Sequence, residues 1–219
     1  MDKLRLLYRQ TGRAAWVSHL DMMRLLQRAM NRADIPIRYS EGFNPHALIS
    51  IVMPLSVGTE SLCQMADIRV KSDVELDTLP AKLSAVMPEG FEVTDVWEDG
   101  AKCAELKWLR AECRWEYDLG VTEELSKALR AFFSRESIVV TRKTKRGEGP
   151  FDIRPQIREL SLTAGEGSVT VTGLFSAAEP VIKPELLAKA VSENCPELAP
   201  DACLCRRIEL LNAEGKPFR

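Results

Sequence analysis

The chain has 219 residues, of which 45% are hydrophobic and 28% are charged. These are ordinary globular values, and they exclude collagen-like, mucin-like and largely disordered proteins. Thirty basic residues against 32 acidic ones give a formal net charge of −2. A wholly basic nucleic-acid-binding protein is therefore excluded, although a locally basic one is not.

The first half of the chain predicts the order strand, helix, strand, strand, helix, strand. Strands alternate between apolar and polar residues, and helices repeat apolar residues at i, i+3 and i+4. The predicted elements span residues 3–9, 19–33, 47–53, 65–71, 79–87 and 91–97. Residues 98–107 have no clear period and predict a connector.

The second half repeats this order if residues 158–175 form its central hairpin. Its predicted strands and helices lie at about 109–117, 122–133, 137–142, 158–163, 169–175, 184–191 and 204–210. Two βαββαβ units predict the α+β class, with two tandem ferredoxin-like domains. We expect the first domain over residues 1–103 and the second over 104–219, with a basic loop at 142–150.

The N-terminal ten residues are charged from the second position and lack the apolar core of a signal peptide. The longest apolar-rich run, 47–57, is far shorter than the roughly 20 residues that cross a bilayer. We therefore expect a cytoplasmic protein with no membrane contact.

The six cysteines are too sparse for a disulfide scaffold. Only Cys203 and Cys205 lie close in sequence, and this spacing puts both on one face of a strand. Zinc sites usually contain paired C-x2–4-C clusters, so a pair of ordinary strand residues is favoured and no metal is predicted. The absence of a C-x3-C-x2-C motif predicts that the chain carries no radical SAM iron–sulfur cluster, and no other cofactor is predicted.

The segment 16–54 holds the densest set of polar and aromatic residues. Ser18 and Asp21 have the spacing of a capping box at a helix start. His19 would lie in the first helical turn, where the helix dipole favours a neutral imidazole able to accept a proton. His46 follows an Asn-Pro turn, so His19 and His46 are the candidate general bases, although packed or exposed histidines are the commoner interpretation.

A basic stripe is predicted on the first helix by the i, i+4, i+8 spacing of Arg24, Arg28 and Arg32. Its core face is predicted to hold Leu20, Met23, Leu26 and Met30. A solvated helix face is the simpler interpretation, and a surface that contacts phosphates is the more specific one. Residues 1–60 contain eight basic and five acidic residues, so the local charge is positive.

The loop 39–46 combines aromatic, glycine and asparagine residues. Gly42 permits a positive φ. Phe43 could stack on a base or pin the loop to the core, and the sequence favours neither. Arg38 and Asn44 complete the predicted RNA contacts in this half.

A second basic segment, 142–158, contains six basic and two acidic residues. Its predicted RNA contacts are Arg142, Lys143, Lys145 and Arg146, with Phe151, Arg154 and Arg158 extending the surface. Glycines predict a mobile loop, for which solvation alone is an equally good explanation. Motifs of nucleotide hydrolases, dinucleotide-binding proteins, serine hydrolases and zincins are absent from the sequence.

The series S18-H19-L20-D21-x-x-R24, R28-A29, R32-A33, P36, Y39-S40-x-G42-F43-N44-P45-H46 and P54-L55-x-V57-G58 resembles the radical-SAM-linked protein family. That bacterial domain occurs alone or fused to cobalamin-binding radical SAM proteins. The match covers the first half well and the second half loosely. The resemblance implies a function that involves RNA or the ribosome, because family members are often encoded beside ribonuclease G/E and ribosomal proteins. It supplies no catalytic residues.

Three hypotheses follow. The first is an RNA- or ribosome-binding module, accessory to a radical SAM or RNA-processing enzyme. The second is a metal-independent endoribonuclease with a histidine base, by analogy with paired ferredoxin-like domains in CRISPR repeat-RNA endoribonucleases. The third is a protein-interaction partner of a radical SAM enzyme that makes no RNA contact.

Overall fold

The computed structural model describes residues 2–71, 74–144 and 147–219. The chain forms two compact units. The first runs to Glu105 and also contains Phe218–Arg219, and the second is Leu106–Pro217. The division falls two residues beyond the predicted 103/104 boundary, and the last two residues belong to the first unit. No described helix has the length and apolarity needed to span a membrane.

The first unit packs two helices against an antiparallel sheet in the strand order β4-β1-β3-β2. The sheet positions the loop after α1 because that loop returns the chain to the edge strand β2. The bounds are β1 Lys3–Gln10, α1 His19–Arg32, β2 Ile49–Val52, β3 Glu60–Arg69, α2 Leu79–Val86 and β4 Phe91–Glu98.

The core of the first unit follows the two sequence periods. Leu4, Leu6 and Tyr8 alternate along β1 and are at most 1% exposed. Helix α1 buries Met22, Leu26, Ala29 and Met30, at i, i+4, i+7 and i+8.

Leu20 is 67% exposed, so its predicted place in the core was wrong. The buried face of α1 starts two residues later, at Met22. Because Leu20 lies in the first turn, the spacing of the later apolar residues did not fix its orientation.

The second unit has the antiparallel strand order β10-β5-β9-β8, with a separate hairpin of β6 and β7. Its bounds are β5 Trp108–Glu116, α3 Glu123–Phe133, β6 Val139–Thr144, β7 Gly147–Asp152, β8 Ile157–Ala164, β9 Ser168–Ser176, α4 Leu186–Asn194 and β10 Ala202–Leu211. The predicted one-sided burial of β5 is confirmed, since every second residue from Leu109 to Tyr117 is buried.

Within the predicted basic loop 142–150, the described residues 142–144 and 147–150 instead belong to the strands β6 and β7. Arg142 pairs with Gly149, and Lys143 pairs with Glu148. The glycines that suggested mobility lie in β7, where Gly147 has a positive φ of 128° and starts the returning strand.

Each unit therefore places one antiparallel strand between two strands whose connection contains a helix; in the second unit, the connection from β5 to β8 contains α3 and the β6–β7 hairpin. In the first unit, β3 separates β1 from β2, and β1 separates β3 from β4. In the second, β9 separates β5 from β8, and β5 separates β9 from β10. The predicted α+β class is confirmed, and the ferredoxin-like assignment of both units stays a prediction that this strand order supports.

Candidate nucleic-acid interface

The start of α1 is held by side-chain bonds around Ser18. Its Oγ accepts the backbone N–H of Asp21 at 3.2 Å and donates to the Asp21 carboxylate at 2.7 Å. Arg24 donates to the other carboxylate oxygen at 3.0 Å. The bonds from Ser18 and then Arg24 hold the pKa of Asp21 below its ordinary value. The predicted capping role of Ser18 is confirmed, and His19, the first helical residue, is exposed.

The three stripe arginines are all exposed on α1, away from its buried face. Arg24 is paired with Asp21, and Arg32 donates to the carbonyl oxygen of Val86 at 3.5 Å. Within the described ranges, Arg28 forms no ion pair. Arg28 is therefore the member of the stripe with its charge available to an anionic ligand.

The loop that follows α1 has a base fixed by backbone hydrogen bonds. Tyr39 pairs with Ala47, and the N–H of Ser40 donates to the carbonyl of His46 at 2.9 Å. On the side of this pair that faces away from the loop tip, the N–H of Leu48 donates to the carbonyl of Arg38 at 2.9 Å. Residues 40–46 therefore form a loop whose two ends are held together by a short two-stranded pairing.

Ser40 and His46 close this loop through their side chains as well. Ser40 Oγ lies 2.8 Å from Nδ1 of His46 and accepts the backbone N–H of His46 at 3.1 Å. These contacts orient the imidazole and occupy Nδ1. His46 is exposed as a residue, and Nε2 is the ring nitrogen that these contacts leave for a ligand or a proton transfer.

Phe43 lies at the tip of the loop with its side chain fully exposed, at 111% of the reference area. Gly42 before it has a φ of +117°, a conformation that side chains other than glycine rarely adopt. The ring does not pin the loop to the core, so that interpretation was wrong. Exposure leaves both ring faces open to a stacking partner.

The loop base and the arginine stripe adjoin each other. Gln27 Nε2 donates to the hydroxyl of Tyr39 at 3.2 Å. Gln27 lies three residues after Arg24 and so shares one side of the helix with it, whereas Arg28 is the next residue in sequence, about 100° further around the helix. The Lys71 ammonium lies 5.9 Å from the centre of the Tyr39 ring. By contrast, His19 is eight residues from Gln27, about 12 Å along the helix axis.

The other predicted contacts in this unit differ in availability. Arg38 pairs with Asp2 at 2.7 Å, and Arg69 lies 3.3 Å from the same carboxylate. Asn44 is exposed beside Phe43. Arg38 therefore shares its charge with an acidic neighbour, whereas Asn44 is open to solvent.

A cleft of about 320 Å³ opens beside His46. It is lined by Lys3, His46, Ala47, Leu48, Ile49, Ser50, Asp67 and Arg69. Burial opposes ionisation of Asp67, but hydrogen bonds from Arg5 and Lys3 outweigh it and hold the pKa of Asp67 below its ordinary value. His19, Phe43 and the stripe are not among the lining residues of this cleft, so it does not unite the two histidines.

The second basic segment is only partly described, because Lys145 and Arg146 lie outside the described residues. The Arg142 guanidinium lies 4.7 Å from the centre of the Phe151 ring and donates to the Val181 carbonyl at 3.3 Å. Lys143 is exposed. Arg142 is thus engaged within the second unit, and Lys143 is the open cation of this hairpin among those described.

Sequence reasoning missed one basic feature of the second unit. A depression of about 660 Å³ lies between α3 and β8, and three arginines line it, namely Arg130, Arg154 and Arg158. The sequence placed Arg154 and Arg158 on one surface but left out Arg130. Its position in the last turn of α3, after a clear buried face, was the available clue.

These features define an α+β protein whose first unit presents an exposed aromatic loop beside a basic helix face. The chain belongs to a family described as uncharacterised protein conserved in bacteria (DUF2344), whose model matches residues 3–184. No curated protein matches the chain. A crystal structure of an unknown protein from Galdieria sulphuraria aligns over 94% of this chain and 96% of that chain, at 9% identity and a TM-score of 0.28. At that TM-score the likeness supports no inference about fold or function.

Proposed function

We propose that this protein is an RNA-binding module of the cytoplasm that binds single-stranded RNA or an exposed ribosomal RNA segment. The observation that carries the proposal is the fully exposed ring of Phe43 on a loop with a fixed base. Leaving a phenylalanine in water forgoes about 1.5–3 kcal/mol of burial. An aromatic ring presented in this way suits stacking on an unpaired base.

The neighbouring helix face would supply the phosphate contacts. Arg28 has no ion pair in the described ranges, and it is next in sequence to Gln27, whose side chain donates to the Tyr39 hydroxyl at the base of the loop. Phosphate contacts position a nucleic acid, whereas contacts with bases supply sequence preference. We assign Arg24, Arg28 and Arg32 to the backbone, and Phe43 with Asn44 to a base.

A radical SAM partner is the finer part of the proposal, and it rests on the motif resemblance. On this view the module delivers RNA or a ribosomal surface to a radical SAM or RNA-processing enzyme. Co-purification of such an enzyme from cells, lost on nuclease treatment, is the expected result. An association that survives nuclease would instead favour a protein-interaction role without RNA contact.

Phe43→Ala tests the RNA-binding proposal by itself. Stacking on an aromatic side chain contributes about 1–3 kcal/mol per base, so the affinity for a single-stranded RNA should fall about 5- to 150-fold. Fluorescence anisotropy with a labelled oligonucleotide measures the change. Leu119→Ala is the matched control, because Leu119 is another fully exposed apolar residue, at 99% exposure, in the second unit. Equal affinity of the Phe43→Ala variant and the unmodified protein would refute the proposal.

The second candidate function is a metal-independent endoribonuclease, and the Ser40–His46 contact favours His46 over His19 as its base. In the tautomer that carries its hydrogen on Nδ1 and donates it to Ser40 Oγ, the imidazole has a free Nε2 that can take a proton from a ribose 2′-hydroxyl. Arg24, in the same unit, would then stabilise the charge on the phosphorane.

Cleavage of cellular RNA by the purified protein tests this second candidate. The expected pattern is cleavage that persists in EDTA, is abolished by His46→Ala and survives His19→Ala. Cleavage that survives His46→Ala would exclude His46 as the base. RNA binding without cleavage by the unmodified protein would leave only the first function.

A further inference from the structure

Three cysteine sulfurs of the second unit converge on β5 and β10. Cys113 and Cys205 form a disulfide across the two strands. Cys203 Sγ lies 3.6 Å from Cys205 Sγ, and the three sulfur atoms all lie within 4.8 Å of one another. Cys113 and Cys205 are 1% and 3% exposed, and Cys203 is half-buried.

Strand register produces this convergence. In the antiparallel ladder Cys205 is directly opposite Cys113, and Cys203 is opposite Trp115. Because side chains alternate along a strand, Cys203 and Cys205 lie on the same face as Cys113 and Trp115. The cluster is therefore fixed by the sheet and does not depend on a loop.

The spacing of these sulfurs suits a soft metal ion. Thiolates bind zinc at about 2.3 Å in tetrahedral sites, which separates neighbouring sulfurs by about 3.8 Å. The separation of 3.6 Å between Cys203 and Cys205 is close to that value. Cleaving the disulfide lets the Cys113 and Cys205 sulfurs move apart to the same spacing, with no change of strand register.

We propose that, once the Cys113–Cys205 disulfide is reduced, Cys113, Cys203 and Cys205 together bind one Zn²⁺ ion. A cellular dithiol supplies the two electrons and two protons that cleave the S–S bond, and it leaves as a disulfide. Zinc then displaces the protons of the three thiols to solvent, and a water molecule takes the fourth position. The site is thus open in a reducing compartment and closed by oxidation.

This site lies within the second unit and is independent of the proposed RNA-binding surface. The cytosol keeps most thiols reduced, so zinc-bound thiolates are the state expected there. In an oxidising medium the same residues hold the disulfide. The pair of states makes this unit sensitive to the redox poise of its surroundings.

Metal analysis of the full chain tests the proposal. The protein is reduced with a phosphine, loaded with zinc and desalted without oxygen, and its zinc content is measured by mass spectrometry. We expect one zinc ion per chain in the reduced protein and none after oxidation to the disulfide. Replacement of zinc by Co²⁺ should give a thiolate-to-cobalt charge-transfer band in the near ultraviolet.

The Cys203→Ser variant is the decisive comparison, because it keeps Cys113 and Cys205. We expect its zinc affinity, from chelator competition, to fall at least about 100-fold, the upper end of the loss caused by removing an outer-shell partner. Cys195→Ser, in the same unit and outside the cluster, should bind as the unmodified protein does. Reduced, folded, unmodified protein that binds no zinc would overturn the proposal, and so would equal affinity of Cys203→Ser.

Discussion

At the scale of single residues, Ser18 has the clearest local role. Its hydroxyl satisfies the free N–H of Asp21 and also donates to the Asp21 carboxylate. We expect Ser18→Ala to lower the free energy of unfolding by about 1 kcal/mol, the usual value of an N-cap. Urea denaturation measures it. Ser192→Ala is the control, since Ser192 bonds back to the Ala188 carbonyl inside α4 and should change stability by less than about 0.5 kcal/mol.

The Ser18→Ala variant should also change the pH at which Asp21 titrates. The pKa of Asp21 is held below its ordinary value of 3.8, first by the Ser18 bond. Because the folded-state pKa is the lower one, the stabilisation is present above about pH 4 and is lost as the pH falls through the folded-state pKa. NMR titration should show the Asp21 pKa rising towards its ordinary value in Ser18→Ala. An unchanged titration would contradict the assigned hydrogen bond.

Sequence patterns were sufficient for some residues and insufficient for others. The N-cap of α1 was predictable because capping depends on residues three apart. The exposure of Leu20 and Phe43 was not, since it depends on where the first turn and the loop tip face in three dimensions. The contact between Ser40 and His46 depends on how the loop closes, and no periodic pattern in the sequence predicts that closure.

At the scale of elements, Arg5 joins β1, β3 and the C-terminal residues. It is fully buried, donates to Asp67 at 2.7 and 3.0 Å and to the Ala101 carbonyl at 2.8 Å, and lies over the Phe218 ring at 5.1 Å. Gly100 packs on it so closely that a Cβ would come within 2.6 Å of the guanidinium. Together with the Arg219–Asp95 ion pair at 2.6 Å, the contact of Arg5 with Phe218 ties the last two residues to the first unit.

We expect Arg5→Ala to destabilise the first unit by about 3–5 kcal/mol, because it removes the fully buried guanidinium that bonds Asp67 and the Ala101 carbonyl and leaves Asp67 to the partly exposed Lys3. Denaturant unfolding measures the loss. Arg9→Ala is the matched control on the same strand, since the Arg9–Glu92 pair is about half exposed and should contribute at most about 1 kcal/mol. Similar losses in the two variants would contradict the assigned role of Arg5.

The strand pairings show which parts of the sheets could be predicted from the periodicity of the sequence. Alternation predicted β1 and β5 with their buried faces, because each has one apolar side. The β-branched residues predicted a strand at 137–142, over much of β6, but the polar, glycine-rich β7 that pairs with it was not predicted. Periodicity also could not join Cys113 to Cys205, because they are 92 residues apart and meet only through the register of β10 with β5.

At the scale of the whole molecule, a net charge of −2 conceals the uneven distribution of charge along the chain. The α1 face presents three arginines, and only Arg24 is paired with a carboxylate among the described residues. Binding of RNA at this face should therefore weaken steeply as salt rises, despite the overall negative charge.

The slope of that salt dependence gives a separate test of Arg28. Each phosphate contact with a single strand contributes about 0.7 to the slope of log K against log salt. We expect Arg28→Ala to reduce the slope by about that amount. Lys82→Ala, which removes an exposed charge from α2, should leave it unchanged. An unaltered slope for Arg28→Ala would remove Arg28 from the interface.

The most direct test of the central claim is to crosslink the protein to RNA in cells with ultraviolet light and map the crosslinked peptides by mass spectrometry. Our account predicts crosslinks on the peptide that contains Phe43, and their loss in Phe43→Ala. Recovery of the protein with no RNA, or crosslinks confined to residues outside α1 and the loop 39–46, would contradict it.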